Sequence, residues 1–165
     1  MAKKGRPRIK LKLTKLDLGI ELLGWLLLAG IWLLIITHFS ELPETITIHY
    51  NAAGEADGFG NKWNILILPI IATVLLIGMT VLNRFPHDFN YAKNITEENA
   101  FQQYTQATRL IRFLKLSIVL LFGIIVFGTI QSATGNSYGF GVWFLPITLV
   151  VIFTPIIVYL IKSTR

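Results

Sequence analysis

Four apolar blocks, at 18–37, 64–82, 116–133 and 143–161, constrain this chain more than any other feature. Each is close to the roughly 20 residues that carry a helix across a bilayer core of about 30 Å. The first block holds one carboxylate, Glu21, and the other three hold no Asp, Glu, Lys or Arg. A soluble domain spreads its apolar residues in stripes with polar faces between them, whereas here they are contiguous and bring the hydrophobic share to 53%. Within hydrocarbon each block must satisfy its own backbone, and the helix is the element that does so alone. The predicted fold class is an all-α integral membrane protein with four transmembrane helices, a short β-like extracellular loop and an amphipathic cytoplasmic lead-in helix.

The predicted organisation is a single membrane domain over 1–165. It comprises a basic tail at 1–15, the four spans, external connections at 38–63 and 134–142, a cytoplasmic connection at 83–115 and a short tail at 162–165. Retention of the first block as a span is expected over cleavage as a signal peptide. It is longer than a signal core, and the residues after it lack small-residue cleavage chemistry. The net charge of +6 is segregated: seven Lys and Arg precede the first span, one lies at 38–63, five at 83–115, none at 134–142 and two at the end. That alternation is the positive-inside pattern for two cytoplasmic termini in a bacterial cytoplasmic (inner) membrane. It points to lipid rather than nucleic acid as the partner of the basic tail, which is expected to be mobile or to lie on the membrane. Trp63 and Trp143 begin spans two and four at the outer interface, and Tyr159 lies near the inner one. No Gly-x-x-x-Gly pair falls within a span, so no dimer face of that kind is read.

The connection at 38–63 is unlike a simple hairpin turn. It holds Glu41, Glu44, Glu55 and Asp57 against Lys62, together with His49, Asn51, Asn61 and three glycines. Long irregular connectors tend to be functional or disordered, and this one mixes β-branched and aromatic residues with its turns. Pro43 holds Leu42 extended. Thr45 to Tyr50 then alternates, placing Ile46, Ile48 and Tyr50 on a covered face and Thr45, Thr47 and His49 on the other. Gly54, Gly58 and Gly60 are read as turn residues, folding the segment so that Asp57 and Lys62 approach His49 and Asn51. The candidate ligand-binding residues are therefore His49, Asn51, Asp57 and Lys62, with Pro43, Gly54, Gly58 and Gly60 shaping the loop. His49 is the member able to change charge between pH 5 and 8.

Elsewhere, Asp17 and Glu21 are four apart on one helix face. An intramembrane carboxylate is a functional candidate, but Glu21 lies near a helix end and is read as paired with Arg109, Arg112 or Lys115, so that Glu21→Gln should change little. Asn94 is read as a helix cap with Glu97 as its reciprocal partner. The helix it opens carries Phe101, Tyr104, Thr108 and Ile111 on one stripe against the inner leaflet and runs on into span three. Pro155 removes a bond inside span four, which neighbours or Thr hydroxyls must replace. The Gly-rich stretch at 134–142 leaves open whether it closes over the first loop.

Catalytic chemistry finds little to work with. A zinc site needs three or four ligands, and only His38, His49, Glu55 and Asp57 stand in the outer loop. The stretch at 51–58 departs from a calcium loop at Ala53 and Ala56. Ser40, Ser132 and Ser137 lack the strained turn of a hydrolase nucleophile. No metal, cofactor or cysteine chemistry is expected, since the chain contains no Cys.

The run LPETITIHYNAAGEADGFGNKW resembles the signature of a bacterial membrane family known as domain of unknown function 1648, approximately L-P-x-x-I-P-x-H-[FYW]-N-x-x-G-x-P-D-x-[FYW]-G-x-K. The stretch FNYAKNITEENAFQQYTQATRLIRFLKL resembles the family's downstream block, with its I-T-E-E-N-A and Q-Y. The similarity runs from about Phe39 to Lys115, and Thr47 and Ala56 stand where the family usually has Pro. The resemblance marks His49, Asn51, Gly54, Asp57 and Lys62. The family includes the N-terminal portion of the SdpI-type immunity protein, which protects a producer cell from its own toxin and signals to a repressor. The leading functional expectation is thus a non-enzymatic membrane protein whose external loop binds a ligand, a peptide among the candidates, in toxin immunity or signalling. A small transporter or transporter subunit is the alternative, resting on Glu21 and the Pro-broken helices. An outward-facing metal-dependent hydrolase is a third.

Overall fold

The computed structural model describes residues 5–136 and 139–164. Ser137, Lys3, Lys4 and Arg165, used in the reading above, lie outside the described residues. Helix α1 (Lys15–His38) is followed by strands β1 (Thr45–Tyr50) and β2 (Ala56–Asn61), then α2 (Ile67–Leu82), α3 (Glu97–Ala133) and α4 (Phe144–Thr164). All four helices are long and apolar enough, with their flanking turns, to cross a membrane. The chain is a multi-pass membrane protein, mostly helical, with one small antiparallel sheet of two strands. One end of the bundle carries the hairpin. The other, called the basic end here, carries both tails and the connection between α2 and α3.

Helix α3 organises the bundle: α1, α2, α4 and β1 all pack on it. At 37 residues it is about 55 Å long, well beyond a bilayer core of about 30 Å, so its first turns stand clear of the hydrocarbon. Its core partners are Leu28, Ile31 and Ile35 of α1 and Ala72 and Leu76 of α2, which meet Val119, Val126 and Ile130. Leu42, Ile46 and Ile65 extend that core to the hairpin end. Most remaining apolar side chains on α1, α2 and α4 point outward, as lipid-facing surface must.

Helix ends follow local chemistry. Thr14 caps α1 and exchanges bonds with Asp17: Asp17 N donates to Thr14 Oγ1 at 3.3 Å, and Thr14 N donates to Asp17 Oδ2 at 2.9 Å. The cap of α3 is Thr96, with Asn99 as its reciprocal partner, rather than Asn94 with Glu97. Asn94 serves instead through its carbonyl, which accepts from Asn99 Nδ2 at 2.9 Å. Both Thr and Asn cap well, so spacing alone could not choose between them. Pro155 frees the Val151 carbonyl, and Ser117 of α3 donates to it at 3.3 Å. The replacement donor is therefore a Ser on the neighbouring helix.

Two features at the basic end go beyond the expectations from sequence. The tail is docked at Arg6: its Nη1 donates to the Phe89 carbonyl at 2.5 Å and to the His87 carbonyl at 3.2 Å, and its guanidinium lies over the Tyr91 ring at 5.2 Å. The stripe at the start of α3 is divided: Tyr104 and Thr108 are covered by protein, and Phe101 is exposed. Tyr104 is fully buried, donates to the Pro7 carbonyl at 3.0 Å and meets the Tyr91 ring at 5.5 Å. Burial pushes the Tyr91 phenol above its ordinary range, so it stays a donor, to the Pro86 carbonyl at 2.8 Å. A cation and two phenols with fixed carbonyl partners hold the tail, which composition alone does not disclose.

Candidate functional site

The hairpin is built on a bulge. Thr45 pairs with Asn61, Ile46 with Gly60, Thr47 with Phe59, His49 with Gly58 and Tyr50 with Ala56, so the register slips at Ile48 and slips back at Asp57. The simple alternation read from the sequence is therefore broken: Ile46 and Thr47 are both buried, and Ile48 is exposed. An extra residue in one strand re-aims its neighbours, which is what bulges do. Leu42 is buried and extended before the hairpin, as Pro43 requires.

The glycines divide by role. Gly54 alone of the three reads as a turn residue, with φ +76°, and a Cβ there would lie 2.5 Å from the Gly141 carbonyl oxygen. Gly58 and Gly60 are strand residues of close approach. A Cβ on Gly58 would lie 2.8 Å from the Cβ of His49, and one on Gly60 would lie 2.8 Å from Ile48 Cδ1. The connection between α3 and α4 docks on the turn: Phe140 N donates to the Gly54 carbonyl at 2.8 Å, and the Tyr50 and Phe140 rings meet at 4.6 Å.

The four polar residues singled out by sequence are not one cluster. His49 Nδ1 and Asp57 Oδ1 pair at 2.5 Å across the strands, with 70% and 43% of their side chains exposed. Asn51 instead shapes the turn: its Oδ1 accepts from Ala53 N at 2.9 Å and Glu55 N at 3.0 Å, and its Nδ2 donates to Glu55 Oε2 at 3.0 Å. Lys62 pairs with Glu44 at 2.9 Å at the base of the hairpin and lies 5.5 Å from the centre of the Phe39 ring. The register puts Lys62 opposite the residue before β1, out of reach of His49. Glu44 was missed as its partner. Tyr50, Phe140 and Phe144 were missed as an aromatic stack, although the Gly-Phe-Gly run at 139–141 was the available signal.

Beneath β1 lies a cavity of about 430 Å³. Ile46, Ile48 and Tyr50 roof it, Leu68 and Phe144 wall it, and Thr129 of α3 lies on its floor. The volume is in the range of small-ligand pockets, and its lining is mostly apolar. Tyr50 Oη and Thr129 Oγ1 approach to 3.4 Å, and His49 stands at the rim. His49 is held through Nδ1 by a carboxylate, so Nε2 is presented as the interacting atom. Among the described residues no hydroxyl bonds to His49, so the pair lacks the nucleophile of a hydrolytic triad. Also among the described residues, no three His, Asp or Glu side chains are gathered for a metal.

A second polar group lies at the basic end. Asp17 pairs with Arg109 at 2.9 Å, Glu21 pairs with Arg112 at 3.1 Å, and Lys115 Nζ bonds both Glu21 and Thr80, the latter at 2.7 Å. Lys115 and Arg112 are buried. The acids are four apart on α1, and the bases are three apart on α3, so the two faces match. Of the partners weighed for Glu21, Arg112 and Lys115 are used, while Arg109 serves Asp17.

Residues 26–73, spanning the end of α1, the hairpin and the start of α2, match the family described as a domain of unknown function (DUF1648). The family resemblance read from the loop is thereby borne out over those residues. The chain is also similar to an uncharacterised protein of Archaeoglobus fulgidus, 34% identical over 86 residues, which cover 47% of this chain and 47% of that protein. The chain thus spans about half the length of this relative. No solved structure matches.

Proposed function

We propose that the hairpin end is an outward-facing binding surface, and that the protein is a non-enzymatic receptor or immunity component of a prokaryotic cytoplasmic membrane with both termini in the cytosol. The observation that carries this reading is the apolar cavity beneath β1 with an exposed, oriented His49–Asp57 pair at its rim. An amphipathic peptide is the ligand class that fits, with one or two apolar side chains under β1 and a polar flank on His49 Nε2. Immunity to a secreted membrane-active peptide is the physiological setting this chemistry suits. A transporter finds no specific support, because Glu21, the carboxylate it rests on, is already engaged by two cations.

Orientation and binding are tested separately. The chain has no Cys, so single replacements read without background. Ala52 in the hairpin turn and Ala92 between α2 and α3 are exposed. Ala52→Cys is expected to react with an impermeant maleimide on intact cells, and Ala92→Cys only after lysis; the reverse pattern ends the outward assignment. For binding, a panel of labelled amphipathic peptides is titrated by anisotropy against the protein in nanodiscs. At least one is expected to bind the parent and to lose about tenfold or more in affinity with His49→Ala, the equivalent of about 1.4 kcal/mol. Binding that ignores His49→Ala, or no binding by any peptide, contradicts the reading.

A further inference from the structure

At the opposite end of the bundle, α3 and α4 line a second cavity of about 250 Å³ that shares only Arg109 with the polar group described above. Its walls change character along the helix axes. Gln106 and Arg109 of α3 and Lys162 of α4 lie toward the basic end, while Phe113 and Val158 lie toward the middle of the bilayer. Gln106 and Phe113 are seven residues apart on one helix, about 10 Å along its axis, so the gradient spans the depth of a headgroup and the first carbons of a chain. Phe113 and Val158 are both exposed to the lipid-facing surface.

The polar rim is underused. Gln106 Oε1 is closed to solvent and has no hydrogen-bond partner among the described residues, so it calls for a donor. Arg109 spends Nε on Asp17 and Nη2 on Thr14 and Asp17, and its Nη1 has no bond among the described residues. Lys162 is exposed, in the last turn of α4, with no ion-pair partner among the described residues. A ligand that satisfies all three groups carries a negative charge, a hydroxyl or amine donor beside it, and an apolar tail.

We infer that this cavity is a site for an anionic phospholipid of the leaflet at the basic end, of the phosphatidylglycerol class. Its phosphate lies between Arg109 Nη1 and Lys162 Nζ, a glycerol hydroxyl donates to Gln106 Oε1, and an acyl chain runs along Phe113 and Val158. Phosphatidylethanolamine brings a donor but no net charge, and phosphatidylcholine brings neither net charge nor donor. Lys162, with no ion-pair partner among the described residues, and the open Nη1 of Arg109 favour the net negative charge of phosphatidylglycerol over both.

Native mass spectrometry of the full chain in detergent tests the site, with dioleoyl phosphatidylglycerol, phosphatidylethanolamine and phosphatidylcholine added in equal amounts. One phosphatidylglycerol is expected to be retained per chain in preference to the other two. Lys162→Gln is expected to lower its retention about fivefold, the factor for one cation at a membrane surface. Gln106→Leu, which removes the acceptor while leaving both cations, is expected to lower the preference over phosphatidylcholine. Lys10→Gln with Lys12→Gln, on the basic tail, is expected to leave retention unchanged. The site is overturned if the three lipids are retained alike or if retention is lost with the tail pair. It is equally overturned if Lys162→Gln and Gln106→Leu both hold phosphatidylglycerol as the parent does. Lys162 lies exposed in the last helical turn, so that variant folds whatever Gln106→Leu does.

Discussion

At the basic end, Glu21 lies between Arg112 and Lys115, and both cations are nearly closed to solvent. At the hairpin end, His49 and Asp57 make an equally direct pair with most of the His side chain open. The contrast lies in solvation, not geometry. A pair taken out of water has already lost its hydration, so removing one partner strands a charge and costs about 3–5 kcal/mol. An exposed pair keeps much of its hydration and contributes about 0.2–1 kcal/mol. The basic end therefore uses charge to tie α1, α2 and α3 together. The hairpin end leaves charge where something else can meet it.

The largest expected effect tests the buried side of that contrast. Glu21→Gln should lower stability in detergent by about 3–5 kcal/mol, because Arg112 and Lys115 lose their common carboxylate. This reverses the expectation drawn from sequence, which placed Glu21 near headgroups and gave the change little weight. An unfolding transition within about 1 kcal/mol of the parent, the ordinary surface effect, would show that water reaches the network.

Next in size is Gly54→Ala, which combines a left-handed backbone with a Cβ driven into Gly141. A loss of about 1–3 kcal/mol is expected. Faster amide exchange at Phe140, whose N–H bonds the Gly54 carbonyl, should accompany it. Exchange unchanged at Phe140 would mean that the two connections do not depend on each other. Asn51→Ala should follow at about 1–2 kcal/mol, since Oδ1 holds two backbone N–H groups. Smallest is Lys62→Ala, expected below about 1 kcal/mol because Glu44 is largely exposed. If thermal unfolding ranks Lys62 above Asn51, the division of the loop into turn-former and rim pair is wrong.

What the sequence disclosed follows the range of the interactions concerned. The four spans were legible because contiguous apolar residues without charge have one stable solution in lipid. The continuity of α3 was legible because nothing breaks the helical pattern between Glu97 and Ala133. The pairing of His49 with Asp57 was legible because a short hairpin fixes what can meet. Lys62 was misplaced because Gly58 and Gly60, read as turn residues, continue β2 as a strand and carry Lys62 to the base of the hairpin, opposite Glu44. The docking of Arg6 on Phe89, the burial of Tyr104 and the cavity under β1 depend on elements far apart in the chain. Spacing within one segment carries no record of them.

The most direct test of the contrast between the ends is the unfolding transition of the double variant His49→Ala with Asp57→Ala, measured in the same detergent beside Glu21→Gln. The expected result is a double variant within about 1 kcal/mol of the parent and a Glu21 variant at least about 3 kcal/mol below it. A double variant that falls as far as Glu21→Gln would make the hairpin pair part of the scaffold and leave the proposed binding face without its residues.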